Sequence, residues 1–224
     1  MMKNIVTLFF LLSSLFAIAQ LPLKQSLDIG VSGAIENNTS NISLSISHHI
    51  GIGQKCKFQF YYGLRTNNIF NSSIMYDVNQ SSVRMLQNKT TYTSANNLFI
   101  GLNCHLIGSF SIGLNSDIIG LSFGSNQNGY YNINADSGVT NYKNFVQTKP
   151  FAYNFFLFSN SLGSLNQEYY IEYLSDNKWK VRAGLSYLTT ELIVSGGGLS
   201  EDKKVQNDFN LFFINVSYPL WRWQ

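Results

Sequence analysis

Residues 179–187 read Trp-Lys-Val-Arg-Ala-Gly-Leu-Ser-Tyr, so that Trp179, Val181, Ala183, Leu185 and Tyr187 alternate with Lys180, Arg182, Gly184 and Ser186. A period of two places the first set on one face of a β-strand and the second set on the other. Both cations share their face with the small residues, and this sidedness bears on the solvent. A soluble lipocalin-like barrel or sandwich lines its interior with apolar side chains and turns its charges to water. A strand whose outer face meets lipid does the reverse.

Seven further stretches follow the same rule. Leu27, Ile29, Val31 and Ile35 oppose Asp28, Gly30, Ser32, Ala34 and Glu36; Ile42, Leu44, Ile46, Ile50 and Ile52 oppose Ser43, Ser45, Ser47, His49 and Gly51. Phe58, Phe60, Tyr62 and Leu64 oppose Lys57, Gln59, Tyr61, Gly63 and Arg65, and Leu98, Ile100, Leu102, Cys104 and Leu106 alternate with Gly101, Asn103 and His105. Phe110, Ile112 and Leu114 oppose Ser111, Gly113, Asn115 and Asp117 until the pattern slips at Ile118-Ile119-Gly120, where a β-bulge would restore it. Leu165, Tyr169, Ile171 and Tyr173 oppose Asn166, Glu168, Tyr170 and Glu172; Phe212, Ile214, Val216 and Tyr218 oppose Phe213, Asn215 and Ser217. No charge falls on the apolar faces. The expected fold is all-β: an eight-stranded antiparallel up-and-down transmembrane β-barrel.

The connections alternate in length, as such a barrel requires. Gly53 to Lys55, Gly108-Ser109 and Asp176-Asn177 are tight turns on one rim. The other rim carries a short loop at Asn37 to Thr39, long connections at 71–95 and 125–164, and a loop around Gly196-Gly197-Gly198, which lacks the following helix of a phosphate-binding loop. Long connections are expected on a cell-facing rim. An even strand number returns both termini to the tight-turn rim, the periplasmic one.

Met1 to Ala19 stands outside this pattern. Lys3, the apolar run from Ile5 to Phe16 and the small-x-small ending Ala17-Ile18-Ala19 form a secretory signal peptide. The alternative, a retained anchor, is disfavoured because the run is short for a spanning helix. The domains are therefore 1–19, a cleaved leader, and 20–224, the barrel. No Cys follows the cleavage point, which argues against a lipoprotein. Cys56 and Cys104 reach an oxidising compartment, but the strand register offsets them, and two unpaired thiols are expected.

Composition agrees. The chain has 17 Phe, 13 Tyr and 17 Gly but only 12% charged residues, about half the usual share. Its net charge of +3, one less once Lys3 leaves with the leader, argues against a nucleic-acid partner.

The ending Asn210-Leu-Phe-Phe-Ile-Asn-Val-Ser-Tyr218, followed by Pro-Leu-Trp, resembles the last strand of Gram-negative outer-membrane barrels, and the chain runs on from Trp221 to Gln224. Gly63-Leu-Arg65, Gly113-Leu-Asn-Ser-Asp-Ile-Ile-Gly-Leu-Ser-Phe-Gly124 and Leu162-Gly-Ser-Leu-Asn-Gln-Glu-Tyr169 continuing to Trp179 are similar to small outer-membrane barrels of Bacteroidetes type, broadly OmpA-like or OmpW-like. The resemblance implies a fold, an outer-membrane location and recognition of the last strand by the barrel-assembly machinery. It implies no catalytic or binding residue.

An eight-stranded barrel is barely wide enough for side chains to fill it, so a plugged lumen is the default. Asp28, Lys57, Arg65, Asp117, Glu168, Glu172, Lys180 and Arg182 are expected to form a lumen charge network, because buried charges persist when paired. The alternative is a narrow channel or small-solute binding barrel, with His49 and His105 as titratable members. A lipid-modifying enzyme is a further alternative, but Ser47 and His48 point to opposite faces and Glu191 has no His near it in sequence. No catalytic residue, cofactor or metal is expected. Trp179, Tyr173, Tyr218, Trp221 and Trp223 suit an interfacial aromatic girdle. In the 125–164 connection, Tyr130, Tyr131, Phe145, Phe151, Tyr153, Phe155, Phe156 and Phe158 are too many aromatics for a solvated loop. They either cap the barrel or form a docking surface, with Tyr130, Tyr131, Phe151, Tyr153, Phe155 and Phe156 as its candidates. The expected partners are outer-membrane lipid, the assembly machinery and other outer-membrane proteins. The expected role is that of a structural or interaction protein, such as an accessory subunit of a larger assembly.

Overall fold

The computed structural model describes residues 25–52, 57–72, 75–77, 85–88, 90–132, 143–156, 161–196 and 202–223. Residues 1–24, with the expected leader, lie outside them, as do Cys56 and the turn at Gly53 to Lys55. Eight strands form a ring: β1 (Gln25–Glu36), β2 (Thr39–Ile52), β3 (Phe58–Ser72), β6 (Thr90–Ile107), β7 (Phe110–Phe123), β11 (Leu165–Leu174), β12 (Lys180–Gly196) and β13 (Lys203–Trp223). Each pairs antiparallel with the next, and β13 pairs with β1 to close the cylinder. All eight contain an alternating stretch of the sequence.

The register fixes the geometry of the ring. From Val31, partners run through Leu44, Thr66 and Asn96 to Leu121 on β7 in one direction. In the other they run through Val216, Val181 and Tyr173 to Phe110 on the same strand. The two end points differ by most of the length of β7. A closed sheet can be staggered this far only if its strands tilt, by about 35–45° in such barrels. The bulge lies where the pattern slipped: Leu98 pairs with Ile119 but Phe99 with Asp117, which leaves Ile118 without a partner on β6. Asp117 and Ser122 are thereby both buried inside while Ile119 and Leu121 face out.

The connections on the far rim depart from expectation. Residues 71–95 and 125–164 are not plain loops. They contain β4 (Met75–Asp77), β5 (Met85–Asn88), β8 (Gln127–Asn132), β9 (Lys143–Pro150) and β10 (Tyr153–Phe155). β9 pairs with the upper part of β12 and carries β8, β5 and β4 beyond it as an extension of the wall. The physical cause lies in β11, which has only 10 residues against 14 in β7 and 17 in β12. Above its end, both neighbours would show open edges. β9 covers that of β12, and β10 pairs with Ile119–Leu121 of β7. The crossing chain is tied on both sides, through Phe151 N–H to Glu191 O at 2.9 Å and Ser122 N–H to Ala152 O at 2.8 Å. Leu165, whose alternation points outward, is for this reason buried.

Candidate functional site

The lumen is the candidate site, because the strand pattern gathers the charged side chains there. Arg65 on β3 donates from Nε and Nη2 to Asp117 Oδ1, at 3.0 and 2.5 Å, and its Nη1 lies 2.9 Å from Glu168 Oε1. Asp117 is buried, and its second oxygen accepts from Asn67 Nδ2, Asn97 Nδ2 and Asn166 N. Asn115 bridges the pair by accepting from Arg65 and donating to Glu168. Towards the rim of the termini, Arg182 Nε donates to Glu172 Oε2 at 2.7 Å, and Lys180 Nζ donates to Asp28 Oδ2 at 2.5 Å. His49 Nε2 lies 3.5 Å from that same oxygen. Each buried charge thus has an opposite charge in contact, the condition for keeping ions away from water.

Lys57 is the exception. It keeps inward parity but precedes the first residue of β3, where it is exposed, and it makes none of the observed ion pairs. A strand end at the rim opens to solvent, so parity there no longer implies burial. His105 stands near the same rim, with Nδ1 3.4 Å from Ser111 Oγ.

Two tyrosines complete the lumen, and charge counting passes over them. Tyr61 pairs across the sheet with Gly101, and Tyr170 with Gly113. A Cβ on either glycine would run into the tyrosine ring, so each ring lies flat across its neighbouring strand in space that only glycine leaves. Their hydroxyls meet at 2.7 Å, and Arg182 sits over both rings, 4.7 Å from the centroid of Tyr170 and 5.2 Å from that of Tyr61. His49 stacks on Tyr61 at 4.7 Å. The signal available in sequence was an inward Tyr beside an inward Gly on the adjacent strand.

Above the ions, apolar side chains join buried Asn41, Asn67, Asn71, Thr91 and Thr93 in the lumen. Ala34, Ile69, Phe99, Leu188, Phe209, Leu211 and Phe213 join the two tyrosines in one buried cluster drawn from six of the eight staves. Among the ions, serines of β1, β2 and β13 face Arg65, Arg182 and Glu168 across a cavity of about 10 Å³, room for about one water.

The outer surface is the complement. Ile29, Val31, Ile42, Leu44, Leu64, Leu98, Ile100, Leu102, Ile112, Leu114, Ile171, Leu185, Phe212 and Ile214 all project from the wall and are exposed. Aromatics mark the ends of this band. Phe110 lies against Tyr173 (5.3 Å) and Trp179 against Tyr218 (4.9 Å) at the rim of the termini, where Trp221 is also exposed; Phe70 lies against Tyr92 (5.1 Å) at the other. A broad apolar surface with aromatics at its ends, interrupted on β3 and β6 by Thr66, Asn68 and Asn96, around a polar and ion-paired interior, is the sidedness of a wall in lipid. The molecule is a transmembrane β-barrel.

No family model and no curated protein matches the chain. Two solved structures are similar to it. Neisserial surface protein A (NspA) is 12% identical, with 88% of this chain and 96% of that chain covered and a TM-score of 0.35. The CymD monoaromatic hydrocarbon channel is 12% identical, with 88% and 87% covered and a TM-score of 0.22. Likenesses this distant carry no argument, and the architecture rests on the closed ring of strand pairs.

Among the described residues, the aromatics of the 125–164 connection include a ring contact between Phe151 and Tyr153, at 6.2 Å. Tyr130 meets Phe145 across the β8–β9 hairpin. Tyr153 and Phe155 stand on β10 opposite Leu121 and Ile119, where they extend the exposed apolar face of the wall. Phe151 is partly covered beneath Lys204, whose Nζ lies 3.6 Å from its centroid, and Phe156 is also partly covered. Phe158 and the side chains of Tyr131 and Trp223 lie outside the described residues.

Proposed function

We propose that this chain is a non-enzymatic outer-membrane barrel, exported with a cleaved leader at 1–19, that works through its surfaces rather than through its lumen. The observation that carries this reading is the obstruction of the lumen by ion pairs, the crossed tyrosines and the apolar side chains packed among buried polar ones. An aqueous path needs continuous polar space, and dewetted apolar constrictions stop ions. What is left to act is the exposed wall and the strand extension β9-β8-β5-β4. In this reading both termini face the periplasm, the extension stands on the cell-facing side, and the partners are lipid, the assembly machinery during biogenesis and other outer-membrane proteins.

Extraction of native membranes in mild detergent tests the proposal. The barrel is expected to co-purify with other outer-membrane proteins in a fixed ratio, and deletion of the β8–β9 hairpin is expected to release them. A steady conductance in planar bilayers, lost when Asp117 or Arg65 is neutralised, would instead establish a channel.

A further inference from the structure

The mouth on the rim of the termini opens into a cavity of about 910 Å³, within the size range of small-molecule sites. Its lining includes three cations, Lys178, Lys180 and Arg222, and no Asp or Glu. Lys180 is offset by Asp28 below it, whose Oδ2 it contacts. Lys178 and Arg222 are exposed, and neither has an ion-pair partner among the described residues. At the floor, His49 is 3% exposed, its Nε2 is held by Ser47 at 3.0 Å, and its Nδ1 has no partner among the described residues. The remaining lining includes Tyr218 and Trp221, which continue onto the outer face of the wall.

We propose that this mouth is an anion site for a phosphate group. Lys178 and Arg222 hold the charge from the rim, and Lys180 and His49 line the floor beneath it. Two cations without a counter-ion in a concave mouth favour an anion, and Lys and Arg are the side chains that recognise phosphate. Because the cavity runs from the lumen to the aromatic rim, the group is either free phosphate or the headgroup of a phospholipid at the membrane surface. Asp28 sets the depth of the site, since its Oδ1 has no partner among the described residues and repels an anion that moves past the floor.

The test uses the full chain, folded in zwitterionic detergent, with the histidine ring nitrogens labelled for NMR and the His49 signal assigned by His49→Gln. Inorganic phosphate is titrated into it. In a second arm the barrel is placed in phosphatidylcholine nanodiscs with and without phosphatidylglycerol. A saturable His49 shift with phosphate, weakened roughly tenfold or more in Lys178→Gln/Arg222→Gln, supports a free-anion site. A shift that appears only with phosphatidylglycerol and disappears in that variant supports the headgroup. Lys178→Arg/Arg222→Lys retains the charge and is expected to retain the shift, which guards against a folding defect. No shift in either arm, or a shift indifferent to Lys178 and Arg222, overturns the proposal.

Discussion

Asp117 accepts from two nitrogens of Arg65, from Asn67, from Asn97 and from the backbone of Asn166, so that both of its oxygens are held. Arg65 in turn contacts Glu168. Removing the guanidinium leaves two buried carboxylates without a cation. Arg65→Met is therefore expected to destabilise the barrel by about 3–5 kcal/mol, read from urea unfolding in detergent. Replacing Arg65, Asp117 and Glu168 together by apolar residues of similar volume is expected to recover most of that loss. The tyrosines make a steric prediction. Gly101→Ala puts a methyl against the Tyr61 ring and is expected to cost about 1–3 kcal/mol, while the same change beside Tyr61→Ala costs much less, a coupling that a double-mutant cycle measures. Alternation alone makes Arg65, Asp117, Tyr61 and Gly101 inward. It does not say which of them meet, because that depends on the tilt and stagger of the ring, and local sequence carries no record of those.

Among the elements, β11 has the widest consequences. Its short length opens the wall, and β10 closes it through Asn154, whose Nδ2 donates to Asn97 Oδ1 at 2.7 Å and whose Oδ1 accepts from Ser122 Oγ and Ser164 N, both at 2.8 Å. Asn97 also donates to Asp117, so the insertion is tied to the charged lumen. Asn154→Ala strands these buried partners, at a cost of about 1–3 kcal/mol, and is expected to make residues 125–164 cleavable by protease while the remaining wall stays protected. On β6, Ile100→Arg lies near the middle of the apolar band and is expected to cost about 2–4 kcal/mol, whereas Leu106→Arg at the rim costs about 0–1, compared by refolding into lipid vesicles. The eight staves were legible because each keeps a lipid-facing and a lumen-facing side. β4, β5, β8 and β9 were not. A strand such as Lys143-Asn-Phe-Val-Gln-Thr-Lys-Pro150, paired outside that apolar band, has no reason to alternate apolar with polar.

For the whole molecule, closure follows from two facts together. The pairing leaves no open edge on the eight-stranded ring, and the outer face carries a broad apolar band. The interior then decides what the barrel can transmit. Ion pairs, the crossed tyrosines and the apolar side chains around them fill the lumen, so reconstitution in planar bilayers is expected to give no steady current. The sidedness that gives these layers their meaning was first visible in residues 179–187, where Lys180 and Arg182 share the face of Gly184 and Ser186 and now pair with Asp28 and Glu172. The most direct test of that sidedness is spin-label accessibility along β6 in lipid bilayers, after Cys56 and Cys104 are replaced by Ser. Labels at Leu98, Ile100 and Leu102 should collide with oxygen and not with a water-soluble nickel chelate, and labels at Phe99 and Asn103 should be shielded from both. Ready access of the nickel chelate to Leu98, Ile100 and Leu102 would mean that water bathes the apolar face, and the transmembrane barrel would be contradicted.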